Sequence, residues 1–316
     1  MGLFAKLLGR KEVCRGIISV CFLPQGFSVA IAKYTPDNIL QLEFSNFLPI
    51  TEPEEQIKTL AQLADEYKLK DFHCHLLIEP SDYRHLTIES PPVTSDEMRE
   101  ALRWKIADLV DFPVEDACID YYILPDAKHA SSQKMLAAIA SPTDTLKQKA
   151  SLCQQADLNI QVIDIPETAL RNLATLLPEN SRGVAILHLL PKSGSIIIQK
   201  QGSIYLSRTL DSGFTDLQLE SDAPSLEINN LTLEIQRSLD YAESYYGISS
   251  ISTLAVIPTP KYTNKILDHL NEHLSVTSRI MDLSTILEGN VLLSDNTQAY
   301  CATVIGACLR HEVNDS

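Results

Sequence analysis

The sequence predicts an α/β protein whose two halves are copies of one domain. The main observation is a repeat without gaps, in which the stretch 15–33 matches the stretch 182–200 at a constant offset of 167 positions. Seven of the nineteen positions are identical, and most others exchange one apolar residue for another. Short β-branched runs also alternate with amphipathic stretches along the chain. A length of 316 residues favours two domains.

Each copy of the repeat predicts two strands joined by a tight turn. In the second copy, an apolar run over 184–190 precedes the turn signal 191–194, and a second β-branched run follows it. The offset is too long for a solenoid and suits two similar domains. The alternative is that two hairpins with Gly and Pro at their turns resemble each other by chance. The best known fold with two such halves is the actin-like fold, in which a nucleotide lies between them.

Proline and capping residues mark where the helices of the first half begin. Pro53, Pro142 and Pro166 each open a predicted helix, because proline suits the first helical turn. Thr94 or Ser95 caps a further helix. The strands predicted after the first hairpin are 39–47, 72–78, 83–89, 118–124, 134–140 and 160–165, and the helices are 53–70, 94–109, 142–156 and 166–177.

The second half repeats this design with a longer helix. The stretch 226–246 predicts a helix that Gly247 closes. Strands are predicted at 184–190, 195–199, 203–206, 254–257 and 279–283, and further helices at 262–274 and 298–310. Small residues in the last helix allow it to pack close to a sheet. We place the boundary between halves after residue 180, so that the domains are 1–180 and 181–316.

The charge and the cysteine content limit the classes of function that are open to the chain. Lys and Arg number 26 against 41 Asp and Glu, a net charge of −15, which argues against nucleic acid and suits a basic protein partner. Seven scattered cysteines without a CxxC pair predict reduced thiols. No apolar run is long enough to span a membrane, although residues 1–11 form a short basic amphipathic segment that can touch an anionic surface. The cluster 73–75 lacks the partners that a zinc site needs, so no metal is expected.

Four motifs in order resemble the PilM family of type IV pilus assembly proteins. The stretch Met98–Leu124 resembles the family's Arg-Trp helix with its Pro-Phe-Pro break, and Leu231–Gly247 its Glu-x-x-Arg-Ser-x-Asp-Tyr helix. Tyr205–Gly213 resembles its Phe-x-Arg strand and Gly-rich loop, and Val304–Arg310 its closing helix. The divergence of the chain points to the MshI branch, which serves the mannose-sensitive haemagglutinin (MSHA) pilus.

The resemblance implies an actin-like fold, an inserted α/β subdomain at about 80–165 and a cytoplasmic position at the inner membrane. It also implies docking of the N-terminal tail of a PilN-type inner-membrane protein, with the pilus motor ATPase as a further partner.

Two alternative functions stay open. One is an active ATPase or sugar kinase of the same fold, for which Asp211 and Asp216 are the available carboxylates. The other is a GspL-type cytoplasmic secretion component, a family that continues into a transmembrane helix.

The hairpins lack the chemistry that ATP hydrolysis needs. An actin-like ATPase uses an acidic residue at each hairpin for Mg²⁺ and glycines for close approach to phosphate. Neither hairpin contains Asp or Glu, and against the family pattern His188 stands at the Asp position and Leu190 at the Gly position. The expected adenosine-side Gly-Gly loop reads Pro258–Lys261. We therefore expect no cofactor, with Mg-ATP disfavoured. The candidate nucleotide contacts left at the cleft are Ser19, His188, Arg208 and Asp211; the alternative for Arg208 and Asp211 is a surface ion pair or a loop cap.

The candidate partner site lies in the first half, around the predicted helix 96–109 and the segment after it. Trp, Tyr and Arg most often carry interface energy, and an aromatic groove or an exposed strand edge can accept an extended tail. The alternative is that Trp104 and Phe112 are core residues. The candidate residues are Arg103, Trp104, Asp111, Phe112 and Tyr122.

Overall fold

The computed structural model of the chain describes residues 14–128, 134–220, 224–248, 251–287 and 291–310. The amphipathic segment predicted over 1–11 lies outside these residues. The strands are β1 (Gly16–Leu23), β2 (Gly26–Tyr34), β3 (Leu40–Leu48), β4 (Phe72–Leu77), β5 (Arg84–Glu89), β6 (Ala117–Ile123), β7 (Met135–Pro142), β8 (Ile160–Asp164), β9 (Val184–Leu189), β10 (Gly194–Lys200), β11 (Ser203–Leu210), β12 (Thr253–Val256) and β13 (Thr277–Ile280). The helices are α1 (Pro53–Tyr67), α2 (Ser95–Ile106), α3 (Thr143–Gln155), α4 (Pro166–Thr175), α5 (Leu226–Tyr246), α6 (Thr263–His273), α7 (Leu283–Ile286) and α8 (Asp295–Cys308).

Two five-stranded sheets of the same design form the halves. The strand order is β3-β2-β1-β4-β8 in the first sheet and β11-β10-β9-β12-β13 in the second. In each sheet the first three strands are antiparallel, and the last two run parallel to the central strand. A third sheet, β5-β7-β6, belongs to the segment inserted in the first half. The predicted duplication of an α/β domain is confirmed.

The repeat also fixes the pairing of the two hairpins. Cys21 pairs with Ser28 across the first hairpin, and His188 pairs with Ser195 across the second. Both residues of the second pair lie 167 positions after those of the first, which is the offset of the sequence repeat. The two hairpins are therefore equivalent in register, so chance resemblance does not explain the repeat.

Local capping chemistry sets most helix boundaries. The predicted cap of α2 is Thr94, which forms a reciprocal capping box with Glu97. Gly247 closes α5 in the left-handed region at φ 66°, where glycine is favoured. The first helix ends before the predicted residue 70 because Lys68 is left-handed at φ 56°. The last helix begins earlier than predicted because the Ser294 hydroxyl accepts from the amide of Thr297.

The inserted subdomain is shorter than the predicted range 80–165. Its sheet is covered on one face by α2, which buries Met98, Leu102 and Ile106. After β7 the chain returns to the first half, because strand β8 completes that half's sheet by pairing with β4. Helix α3 likewise packs against α1, with Cys153 in the core of the first half. The insertion therefore ends at β7.

One core joins the two halves through α4 and α8. A continuous cluster of buried residues takes members from the first sheet, from these two helices and from the second sheet. The helices approach so closely that a Cβ on Gly306 would lie 2.2 Å from the carbonyl oxygen of Ala169. Asn172 of α4 also donates to the carbonyl oxygen of Gly306 at 2.9 Å. The small residues of α8 are thus required for contact with a helix as well as with the sheet.

Candidate functional site

A cavity of about 230 Å³ lies between the two halves, where the two hairpins face each other. Most ligand pockets measure roughly 300–1,000 Å³, so this cavity is small. The side chains around it come from the first hairpin, the end of β4, the start of α4, the second hairpin, β11 and α8. These include Cys21, Leu23, Glu79, Glu167, His188, Leu190, Ser195, Thr209 and Thr303.

Two carboxylates give the cavity its charge. Among the lining residues that the structure describes are Glu79 and Glu167, and none of them is Lys or Arg. Glu167 is buried and accepts a hydrogen bond from the hydroxyl of Tyr83 at 2.7 Å. Burial raises the pKa of Glu79 to about 7, Lys149 opposes that rise and Asp82 adds to it. The cavity therefore offers two carboxyl groups and, among its described lining residues, no cation where a phosphate site needs positive charge.

Lys149 of α3 holds the acidic rim together from outside the cavity. Its ammonium group lies 2.6 Å from a carboxylate oxygen of Asp82 and 3.8 Å from one of Glu79. It also donates to the carbonyl oxygen of Phe22 in the first hairpin at 3.3 Å. All three charged side chains are largely buried. Lys149 thus neutralises charge already present and fastens α3 to the hairpin.

The second hairpin presents an imidazole and a leucine to the cavity. His188 is buried, and its Nε2 donates to the carbonyl oxygen of Ala299 in α8 at 2.7 Å. Burial lowers the pKa of His188, although this hydrogen bond acts in the opposite direction. Leu190 lies beside it and fills space where the family resemblance expects glycine. Both side chains therefore pack the cleft.

The turn of the second hairpin is covered by the loop after β11. The amide of Leu190 donates to the carbonyl oxygen of Ser193 at 2.8 Å. The carbonyl oxygen of Leu190 accepts from the amide of Phe214 at 2.9 Å. A Cβ on Gly213 would lie 2.2 Å from that same oxygen, so only glycine allows this approach. The turn and the predicted Gly-rich loop thus bind each other.

Of the four candidate nucleotide contacts, only His188 is among the described residues that line the cavity. Ser19 is fully buried, and its hydroxyl donates to the carbonyl oxygen of His75 at 3.2 Å. Arg208 precedes Thr209, which lines the cavity. Because side chains alternate along a strand, Arg208 points the other way, towards α5, where its guanidinium lies 3.9 Å from the carboxylate of Glu234. Asp211 is exposed and is absent from the described lining of the cavity. Arg208 and Asp211 were predicted to lie at the cleft, but neither is among the described residues that line the cavity.

The segment Pro258–Lys261 lies at the start of α6 and is absent from the described lining of the cavity. Thr259 is buried, and its amide donates to the hydroxyl of Thr263 at 2.9 Å. The segment is therefore tied to the first turn of α6.

Metal ligands do not cluster in the described part of the chain. No group of three or more His, Cys, Asp and Glu side chains there is arranged to hold a metal ion. All seven cysteines are free thiols. The described helices include none with the length and apolarity needed to cross a membrane.

Most of the candidate partner residues stabilise the inserted subdomain. The guanidinium of Arg103 donates to the carbonyl oxygens of Val114 and Ala117, which holds the segment after α2 in place. Phe112 packs against the subdomain core. Asp111 is exposed and pairs with Arg84, with 2.6 Å between carboxylate and guanidinium. The aspartate–arginine pair lowers the pKa of Asp111.

Tyr122 lies on the face of the third sheet opposite α2. Its hydroxyl is 2.8 Å from Nε2 of His85, and its ring packs against the core at the base of the subdomain. Burial raises the pKa of Tyr122. Tyr122 and Trp104 therefore do not share one surface.

Trp104 is a surface residue. It is 77% exposed, because it lies on the outer side of α2, opposite the buried Leu102 and Ile106. Glu100 precedes it by one turn and Glu97 by two, so exposed carboxylates share its face. A large, rigid and solvent-exposed indole beside acidic residues suits contact with a basic segment.

The sequence interpretation missed Glu79, Glu167 and Lys149. Glu79 follows a strand and Glu167 begins a helix, positions that acidic residues often occupy for local reasons. Only the folded chain brings the two carboxylates to one cavity, from positions 88 residues apart (167 − 79). No local pattern in the sequence marks that pairing.

The described geometry matches known structures although no protein-family model and no curated protein sequence matches the chain. The chain superposes on a structure of the PilM–PilN type IV pilus biogenesis complex with a TM-score of 0.72 and 18% identity, over 93% of this chain and 97% of that one. It also superposes on a nucleotide-free diol dehydratase-reactivating factor with a TM-score of 0.51 and 10% identity, over 93% and 99% of the chains. The chain therefore has an actin-like α/β fold of the PilM type.

Proposed function

We propose that this protein is a non-catalytic scaffold of a type IV pilus assembly platform, which docks the N-terminal tail of a PilN-type inner-membrane protein. The observation that carries the proposal is the superposition on PilM, which extends over 93% of this chain and 97% of the other at a TM-score of 0.72. A match of that extent takes in the inserted subdomain as well as both halves, so it covers the whole domain plan. In that structure PilM belongs to a complex with PilN.

The composition of the cleft supports a scaffold rather than an ATPase. A nucleotide brings several negative charges, and Glu79 and Glu167 line the cavity where its phosphates would bind. Leu190 occupies space at one turn, and the carbonyl of Ala299 already holds the imidazole of His188. We infer that no ATP or Mg²⁺ cofactor is used.

The outer face of α2 is the surface that best suits the partner's tail. Trp104 is the only tryptophan of the chain and is 77% exposed. Glu97, which also caps α2 through Thr94, and Glu100, which also lies 3.6 Å from Arg103, would attract basic residues of the tail to the indole. Asp111 adds an exposed carboxylate after the helix. Arg103 and Phe112 hold α2 and the segment after it in place, whereas Tyr122 lies on the other face of the third sheet.

The setting follows from the same proposal. Seven free thiols suit the reducing cytoplasm, and a PilN-type partner would hold the scaffold at the inner membrane. We also propose that the scaffold serves an MSHA-type pilus, because the divergent hairpins and the resemblance to the MshI branch support that role. The pilus motor ATPase is the further partner that this assignment implies.

The experiment uses Trp104 as its own reporter. A synthetic peptide with the N-terminal tail of a PilN-type protein is titrated into the protein while tryptophan emission is recorded. Docking on Trp104 would shift the emission to shorter wavelength, because the indole leaves water. Trp104→Ser should weaken peptide binding, measured by calorimetry, by about tenfold or more, which is about 1.4 kcal/mol.

Leu176→Ser is the matched control, because Leu176 is also exposed but lies at the end of α4. It should bind like the wild type. Equal binding by the wild type and Trp104→Ser would move the site elsewhere. No binding of any PilN-type tail would remove the scaffold proposal itself.

A further inference from the structure

Helix α5 presents a stripe of three apolar side chains to solvent on the side away from its sheet, interrupted by the polar Asn230 and Arg237. Leu226 is 70% exposed, Leu233 48% and Tyr241 41%, although the same helix buries a full face against the second half. With 3.6 residues per turn, the three side chains point within about 80° of one another. Exposed apolar side chains on a helix whose other face is already buried are a feature of interaction surfaces.

Acidic residues flank the stripe on both sides. Glu227 and Glu234 lie along one side of it, and Asp240 and Glu243 along the other. Arg237 lies in the stripe but pairs with Glu234, with 3.5 Å between guanidinium and carboxylate. Arg208 of β11 also lies against this helix, 3.9 Å from Glu234, so the four carboxylates of α5 face two arginines. An apolar seam between charged rows is the pattern by which helices select helical partners.

A tyrosine cluster makes one end of the stripe rigid. The rings of Tyr241 and Tyr245 are stacked at 5.1 Å and 11°. Tyr246 packs edge-on against both of them and against Tyr205 of β11. These contacts hold the exposed ring of Tyr241 in place before any partner arrives. A fixed aromatic face beside carboxylates suits a lysine or arginine of a partner.

We propose that this face of α5 docks a basic amphipathic helix of a partner protein. The partner's apolar residues would cover Leu226 and Leu233, and its lysines or arginines would meet the acidic rows and the ring of Tyr241. The negative charge of this face argues against a second copy of the chain and against a membrane surface. A second copy of this chain would bring acidic rows against acidic rows, and an anionic membrane surface would be repelled.

This surface is independent of the proposed tail site. Helix α5 belongs to the second half and Trp104 to the subdomain inserted in the first half. One scaffold can therefore hold two partners, each by its own basic segment. Variants of α5 leave Trp104 untouched, so either site can fail in an experiment without affecting the other.

The first test uses two synthetic helical peptides as long as α5, which has 21 residues. Both carry a leucine seam, flanked by lysines in one peptide and by glutamates in the other. The lysine peptide should bind the full-length wild type, measured by fluorescence anisotropy, and the glutamate peptide should not. The double variant Leu226→Gln with Leu233→Gln should bind the lysine peptide about tenfold or more weakly. Ile39→Gln with Leu176→Gln, two residues 44% and 43% exposed elsewhere, should not.

The second test separates this surface from the net charge of the protein. The triple variant Glu227→Gln, Asp240→Asn, Glu243→Gln should lower the affinity for the lysine peptide by about tenfold. The variant Glu55→Gln, Asp65→Asn, Glu66→Gln changes the net charge equally on α1 and should leave affinity within about twofold. Equal losses from both triples, or no binding by the wild type, would overturn the proposal. So would a wild-type dimer that Leu226→Gln with Leu233→Gln converts to a monomer, because the face would then bind a second copy.

Discussion

The imidazole of His188 donates through Nε2 to the carbonyl oxygen of Ala299, 2.7 Å away, and joins the second hairpin to α8. His75 does the same for the first half, since its Nδ1 donates to the carbonyl oxygen of Ala307 at 2.9 Å. Both carbonyls belong to one helix, so α8 ties both central sheets together through buried histidines. His188, at the position where the family resemblance expects an aspartate, thus helps to hold the two halves in a fixed arrangement.

The crossing of α4 and α8 is the second element of that arrangement, and it predicts the effect of Gly306→Ala. Glycine to alanine normally stabilises a helix by about 1 kcal/mol. Here the new Cβ would lie 2.2 Å from the carbonyl oxygen of Ala169, so the helices must separate. We expect a net loss of about 2–4 kcal/mol in the free energy of unfolding, measured with urea. An unchanged or higher stability would mean that the helices do not cross so closely.

Most of the fold could be predicted from the sequence because its signals are local. The repeat with Pro191 at its second turn, the cap at Thr94 and the closing Gly247 each determine structure within a few residues. The end of the insertion could not be read in this way, because β8 is a short strand of mixed polarity whose partner β4 lies far away in the chain.

The candidate sites were harder to predict because they depend on how elements pack. The register of β11 determines that the side chain of Arg208 points towards α5. Arg103 holds the segment after α2 in place because two carbonyl oxygens of that segment accept from its guanidinium. The exposure of Trp104 depends on which face of α2 covers the sheet. The acidic cavity combines Glu79 and Glu167 from different elements. None of these relations leaves a periodic or local pattern.

His188 predicts an acid-sensitive contribution to stability. Burial lowers its pKa below the usual value of about 6.5, so the unfolded chain takes up a proton at higher pH than the folded one. Stability from this group is therefore present at neutral pH and is lost as the pH falls below about 6.5. His188→Gln keeps a donor for Ala299 and cannot titrate. Between pH 7 and 5 the wild type should lose up to about 2 kcal/mol more than this variant.

Urea unfolding at several pH values measures that difference. Equal pH dependence for His188→Gln and wild type would contradict the burial of a neutral imidazole.

Glu79 predicts the opposite pH dependence. Burial raises its pKa to about 7 from the usual 4.5, so the folded state holds the proton more tightly than the unfolded chain. Its contribution is fully present below about pH 4.5 and is lost as the pH rises through 7. Glu79→Gln should therefore be more stable than the wild type at pH 8, by about 2 kcal/mol relative to the difference at pH 5. Lys149 keeps Asp82 as its partner in this variant.

Chemical denaturation at pH 5 and pH 8 provides the measurement. Glu55→Gln on α1 removes an exposed carboxylate and should show the same pH dependence as the wild type. A variant of Glu79 that is less stable than the wild type at pH 8 would show that the ion pair with Lys149 outweighs burial.

Mg-ATP should not bind the cleft usefully. The cavity measures about 230 Å³, its two carboxylates repel phosphate, and Leu190 fills space beside the turn. Calorimetry should give no affinity better than about 1 mM, which is about 4 kcal/mol of binding free energy. Glu79→Gln with Glu167→Gln removes the repulsion but leaves the volume, so it should remain as weak. Binding in the micromolar range by either protein, or phosphate release above a heat-inactivated sample, would make the protein a nucleotide-dependent one.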